Sequence, residues 1–415
     1  MVISLFSCTF AKFFYMEQTK GKGQGVRRAV DTTRHHRENG WDYRGRAVYH
    51  FTFLVEGRFP LFGTLEGESA ERAFIKLNPF GYRVYQILCG LPQFYAAKGF
   101  ALKVLAQKVM PDHIHLVIQV LEPLSQSIGA VVRGFKSACT MVYKQEFLSC
   151  GENAAEVHSI ANRQGNAAEV HGRASQQGNA AALMHFARIF ANRNSIWQQD
   201  AAYYHERILH APGQLNRMIN YVKDNPRRLW LKKNNPDLFR LHRHTEMCGL
   251  SFTSLGNHFL LDWHDNQTVE MPRNATVEQV QKRLQLAMAA AQNGAVTYTA
   301  AISKGEQLIA RTLRKQGYPL VVLLSDGFPK EGSPQERFYK PGGIYFEACS
   351  RGQLLLLEPT EQTFLNEDIQ SAVEGTLRRK AAERHYDYEQ IPIKSQRYRF
   401  VALNEIAKRL ARIEQ

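Results

Sequence analysis

The sequence predicts an α+β domain followed by an α/β domain built on a parallel sheet, and three observations carry that expectation. Residues 46–120 alternate aromatic and β-branched strand segments with a helical stretch. From residue 295 onward, apolar strands alternate with helices, the pattern of a sheet buried on both faces. Charge divides the same way: residues 1–240 hold 31 basic and 18 acidic residues, net +13, and residues 241–415 hold 22 and 20, net +2. A basic first half fits a polyanion partner, although a basic soluble surface explains it equally well.

In chain order, the first fifteen residues are apolar but interrupted by Lys12, and they lack the basic n-region and cleavage site of a signal peptide. Met16 as the true start accounts for them as simply. Residues 17–40 are polar and basic, so 1–40 read as a poorly ordered arm. RAVYHFTFLVEG, from Arg46, reads as a strand ended by Gly57. Residues 79–98 carry apolar positions at helical spacing. FALKVLAQKVMPDHIHLVIQV predicts two strands, about 100–109 and 113–120, joined by a tight turn at Pro111-Asp112. Residues 124–147 predict a helix carrying Arg133, Lys136 and Lys144.

Between 151 and 195 the composition shifts to Ala, Asn, Gln, Gly and His. ENAAEVH recurs as GNAAEVH and then as GNAAALMH, with Asn153, Asn166 and Asn179 marking the period. So short a unit carries too few large apolar groups for a core, and it predicts a low-complexity insertion in a surface loop. Copying of one unit explains His158 and His171 without a ligand role. Order resumes at Ile196-Trp197, with a strand near 202–209 and a helix over Pro212–Asp224 that Asn225-Pro226 should end. Arg227, Arg228, Lys232 and Lys233 follow, and 236–250 read as a linker.

The six cysteines are scattered, which points to free thiols in a reducing compartment. No apolar run approaches the roughly 20 residues that span a bilayer, so the expected setting is cytoplasmic, without a membrane partner.

Two features carry chemistry. On a strand, His113 and His115 project to one face, and paired imidazoles are a half-site for a divalent metal. Alone, a His-x-His arises by chance often enough to mean nothing. Tyr221 and Asn225 stand four apart on a helix and share a face. A tyrosine hydroxyl can attack a phosphodiester, and an amide oxygen can complete a metal shell. The plain alternative for Tyr221 is a core aromatic beside Met218, Ile219 and Val222.

The order of elements adds more. Strand, helix, the hairpin ending in MPDHIHLVI, the basic helix containing GFKSACT and then INYVKDNP resembles the REP-associated tyrosine transposases. These are members of the single-tyrosine HUH (His-hydrophobic-His) nuclease group. The resemblance covers about 41–150 and 196–235. It implies a ferredoxin-like fold for residues 41–235, interrupted by 151–195. It implies metal ligation by His113, His115 and Asn225, with Tyr221 as nucleophile. It also implies a divalent metal, Mg²⁺ or Mn²⁺, as cofactor, and single-stranded or hairpin DNA as partner. Arg133 and Lys136, with Arg227 and Arg228, are the expected DNA-backbone contacts. The family usually has Asn where this chain has Asp112, and Asp forms such turns equally well. Whether the protein acts as a monomer or a homodimer stays open. So does a non-catalytic role as a repeat-DNA-binding regulator derived from a transposase.

In the second half, 295–302 reads as a buried strand, 303–306 as a tight loop, 307–316 as a helix, and 318–324 and 353–359 as further strands. This pattern, with AISKGEQ and VVLLSDGF, distantly resembles the Rossmann-like domain of DNA-processing proteins that bind single-stranded DNA during transformation. The resemblance implies a Rossmann-like domain over 251–375; the residues beyond it, with a basic stretch at Arg378-Arg379-Lys380, read as a helical basic tail over 376–415. The Ser303-Lys304-Gly305 turn before a helix could cradle a phosphate, or serve as a plain strand-to-helix turn.

Overall fold

The computed structural model describes residues 38, 40–145, 195–198, 205–332, 343–385, 387–388 and 390–411. The N-terminal arm up to residue 37 and the 13-residue repeat lie outside the described residues. The fold is α+β. The chain divides into two compact units, one spanning Asp31–Asn234 and the other taking in Asn235–Gln415.

The first unit is built on β1 (Ala47–Leu54), β4 (Leu102–Val109), β5 (His113–Val120) and β6 (His205–Ile208), in the sheet order β4-β5-β1-β6. Helix α1 (Pro79–Ala96) falls between β1 and β4, and α2 (Gly129–Tyr143) between β5 and β6. All three strand pairings are antiparallel, so this is the βαββαβ arrangement of a ferredoxin-like sheet. Alternation along the strands divides the two faces. Tyr49, Phe51, Phe53, Ile114, Leu116 and Ile118 pack under α1 and α2 in the main core, together with Trp197. The three strand aromatics are therefore core.

Val117 belongs to a smaller cluster on the opposite face. There it meets Val222 of helix α3 (Gln214–Asn234), with Leu215, Met218 and Tyr221 packed alongside. Helix α3 corrects one expectation, because it does not stop at Asn225-Pro226. Pro226 sits buried inside it. Its missing N–H leaves the Val222 carbonyl without its helical donor, a loss that ordinarily kinks or ends a helix. The later turns have a surface of their own, however. A hairpin of β2 (Gly63–Glu66) and β3 (Phe74–Leu77) packs against α3, and the Trp230 indole N–H donates to the Gly67 carbonyl at 3.2 Å. Lys232 and Lys233 then lie in the last turn, where the helix dipole favours cations.

In the second unit, β9 (Asn266–Thr268), β10 (Val296–Thr299), β11 (Leu320–Leu323) and β12 (Leu354–Pro359) pair in parallel. The runs LVVL and LLLLEP are buried on both faces. One face is covered by α4 (Val277–Gln292) and α5 (Lys304–Lys315). The other carries α8 (Glu367–Glu383) and α9 (Gln396–Ala411). Two expectations change here. The segment 236–250 is not a bare linker: β7 (His242–Met247) forms an antiparallel hairpin with β8 (Leu250–Gly256), which joins β12. The segment expected as a helical basic tail, 376–415, is helical but is no appendage, since Tyr398, Leu403, Ile406 and Leu410 of α9 are core residues. No helix among the described residues is long and apolar enough to cross a membrane.

Candidate active site

The α3-facing side of the first sheet gathers the polar side chains. His113 and His115 project from β5, each almost fully buried. Register places Thr52 of β1 opposite His115, and Lys108 of β4 opposite it on the other side. The two Nε2 atoms of His113 and His115 lie 3.2 Å apart, with the rings nearly perpendicular.

Each Nδ1 is engaged elsewhere. That of His113 meets Asp112 Oδ1 at 2.5 Å. That of His115 meets Thr52 Oγ1 at 3.0 Å and His50 Nε2 at 3.1 Å. A carboxylate only accepts, so Asp112 holds the proton on Nδ1 of His113 and leaves Nε2 of the neutral ring with its lone pair.

Two convergent Nε2 atoms fit a divalent cation. Nitrogens roughly 2.1 Å from a metal and at right angles stand about 3 Å apart. Among the described residues no group of three or more His, Cys, Asp or Glu could hold a metal ion. A fuller shell therefore needs an amide oxygen or water. Asn225, 5% exposed, is chemically able to supply the former. Its Nδ2 donates to the Tyr221 carbonyl at 2.8 Å, so Oδ1 is the side-chain atom chemically able to ligate.

Tyr221 stands edge-on to His115, ring centroids 5.5 Å apart. Three guanidinium groups surround this side of the helix. Arg228 lies 5.5 Å from the Tyr221 ring centroid. Arg227 makes a bidentate pair with Asp224, at 2.6 and 3.1 Å. Arg58 binds Asp112 Oδ2 through Nε at 2.9 Å. Burial pulls the Arg58 guanidinium below the ordinary arginine range, while Asp112 and Tyr221 oppose the shift.

Of the eight residues singled out from sequence, His113, His115 and Tyr221 come together, with Asn225 one helical turn from Tyr221. Arg227 and Arg228 follow on the same helix. Arg133 and Lys136 sit on α2, which packs on the other face of the sheet. Arg133 is exposed, whereas Lys136 is half-buried and desolvation pushes its ammonium down to about 8. Sequence reasoning missed His50, Thr52, Lys108, Arg58 and the part played by Asp112. His50 and Thr52 were detectable in principle, as polar positions alternating with Tyr49, Phe51 and Phe53.

In the second unit, the Ser303 turn has its own anion. Ser303 caps α5, and the buried Glu306 carboxylate accepts from the backbone N–H groups of Met271, Ile302 and Ser303 at 2.9, 2.6 and 3.0 Å. The plain-turn reading is the one this geometry favours. Glu358 likewise accepts from the Phe328 N–H at 2.8 Å. A cleft of about 470 Å³ in this unit is lined by Glu246, Glu367 and Asp368, charges that repel a polyanion.

Residues 84–160 match the family model described as transposase, IS200 like. That segment runs from α1 through β4, β5 and α2 and contains the histidine pair. Tyr221 and Asn225 lie beyond it. The first half of the chain is thus transposase-like, of the IS200 type. Among solved structures, a candidate transposase from Deinococcus radiodurans R1 aligns over 45% of this chain and 95% of its own, at 13% identity and a TM-score of 0.23. No curated protein sequence matches the chain.

Proposed function

We propose that the first half is a metal-dependent transposase that cleaves and rejoins single-stranded DNA at hairpin-forming repeats, with Tyr221 as nucleophile. The observation that carries this reading is the convergence of the His113 and His115 Nε2 atoms beside the Tyr221 ring. The IS200-like match over 84–160 and the basic charge of residues 1–240 support it.

The chain's own residues do the following. His113, His115 and the Asn225 Oδ1 hold the cation, Mg²⁺ or Mn²⁺, of which imidazole ligands suit Mn²⁺ better. When bound, the cation polarises the scissile phosphate and offsets charge building on its oxygens. The Tyr221 hydroxyl attacks the phosphorus, forming a tyrosine–phosphate bond at the 5′ end. The bond between phosphorus and the 3′ oxygen breaks, and the proton given up by the tyrosine ends, net, on that oxygen, which leaves as a hydroxyl. The phosphotyrosine resembles the original diester in energy, so a second 3′-hydroxyl can reverse the step and join strands. Arg228 over the tyrosine, and Lys108 beside His115, would contact backbone phosphates. Unpaired DNA suits such a site because its backbone and bases can splay apart.

The test is cleavage of end-labelled oligonucleotides carrying the repeats that flank the gene, single-stranded against duplex, with and without Mn²⁺. Cleavage confined to the single strand and to Mn²⁺ is expected. Tight binding without cleavage on every probe would instead favour a repeat-binding regulator.

A further inference from the structure

Arg58 has an unusual setting for a charged residue. Gly57 and Arg58 both take left-handed backbone, φ 60° and 57°. Glycine does this freely, whereas arginine spends about 1–2 kcal/mol on it. Such strain persists only where surrounding structure over-determines it. Two ties hold this loop to the turn that carries the first histidine. The Val55 N–H donates to the Asp112 carbonyl at 3.0 Å, and the Arg58 N–H donates back to Val55 at 3.0 Å. The side chain makes the second tie, Nε to Asp112 Oδ2 at 2.9 Å. Asp112 then spends its other oxygen, Oδ1, on Nδ1 of His113. One carboxylate is shared, oxygen by oxygen, between a strained arginine and a histidine whose Nε2 faces that of its neighbour.

We propose that Arg58 is a positioning residue: by fixing the rotation of the Asp112 carboxylate it orients the His113 ring, and so sets the affinity of the histidine pair for a divalent cation. This rests on the metal reading given above. A carboxylate with one anchored oxygen cannot swing away from Nδ1. Without Arg58 that anchor is lost, and the restraint that aims Nε2 is loosened. Outer partners of a metal-binding histidine commonly act in this way. The competing account is that Arg58 merely closes a buried ion pair that steadies the loop.

Equilibrium Mn²⁺ binding to the full chain without DNA separates the two, followed by electron paramagnetic resonance of free Mn²⁺. Arg58→Met keeps an unbranched stem and a similar backbone preference but removes the charge and every N–H donor. The proposal expects about tenfold weaker Mn²⁺ binding, with the melting temperature nearly unchanged. Asp112→Ala should weaken binding similarly, and the double variant should be no worse than either single one, since both break the same chain of contacts. Native affinity in Arg58→Met overturns the proposal, as does an additive double variant. Arg58→Gly, which relieves the backbone strain, provides a second readout should the methionine variant fold poorly: unchanged affinity there is equally fatal. His113→Ala in the same titration tests the underlying reading. If it binds Mn²⁺ like the native chain, the metal reading itself fails; if it loses Mn²⁺ while Arg58→Met does not, only the role given to Arg58 fails.

Discussion

Both units bury polar groups against a sheet, but they satisfy them in opposite ways. In the first, two imidazoles turn their Nε2 atoms toward each other, while Asp112, Thr52 and His50 occupy the Nδ1 sides. In the second, the amides at the carboxyl ends of the parallel strands are closed by internal carboxylates, Glu306 and Glu358. The first arrangement brings two ring nitrogens together on one point, the geometry a cation needs. The second already gives the Met271, Ile302, Ser303 and Phe328 amides a carboxylate acceptor, although a parallel sheet commonly binds ligands there. Burial of polar groups alone therefore identifies no site. What matters is which atoms converge.

The sharpest way to break this contrast is to exchange the two expectations. His113→Ala should reduce strand cleavage by more than the roughly 10–100-fold typical of changes to outer partners. Lys304→Ala, at the Ser303 turn, should leave cleavage at the native rate. Comparable losses in both would erase the distinction between the units.

Next in size is Glu306→Ala. It strands three N–H groups, that of Ser303 buried and those of Met271 and Ile302 partly so, and should destabilise the second unit by about 2–3 kcal/mol, read by calorimetry, with cleavage by the first unit unchanged. Burial is the main influence on the Glu306 carboxyl and raises it above the usual carboxylate range, opposed by those N–H donors.

Lys136 gives a smaller effect with a defined pH signature. Desolvation lowers its ammonium from 10.5 to about 8. The folded chain thus holds this proton less tightly than the unfolded chain does. The charged form costs stability at all pH below about 8, and the cost fades as pH rises from there toward 10.5. Lys136→Met should therefore stabilise the protein at pH 7 by about 1–3 kcal/mol, and the gain should vanish near pH 10.5. Urea unfolding at the two pH values measures it. A gain independent of pH would assign the effect to packing.

The smallest change is expected from deleting residues 152–185, the copied segment. Loop closure depends only weakly on length, so stability should shift by less than about 1 kcal/mol, with cleavage retained. Aggregation or loss of activity would show that the repeat does more than fill a loop.

How far the sequence carried depended on the range of the signals. Alternation in HIHLVIQV and VYHFTF is local, so the strands and the shared face of His113 and His115 were legible. The tyrosine helix was legible up to Asp224 and misread beyond it. Proline is a sound local stop signal, and what overrode it was packing of Trp230 on a distant hairpin that had no place in the local pattern. Arg58 was invisible for a similar reason. Its meaning comes from meeting Asp112, 54 positions later, across a strand pairing that sequence does not display. At Ser303 the capping pattern with Glu306 is local and legible, and it is that carboxylate, not a phosphate, that fills the helix N-terminus.

The central claim, that Tyr221 becomes joined to DNA, is tested most directly by incubating labelled single-stranded hairpin DNA with Mn²⁺ and either the native chain or Tyr221→Phe, then resolving the products under denaturing conditions. The account predicts a labelled protein–DNA adduct with the native chain and none with Tyr221→Phe. An adduct of equal yield in both would contradict it.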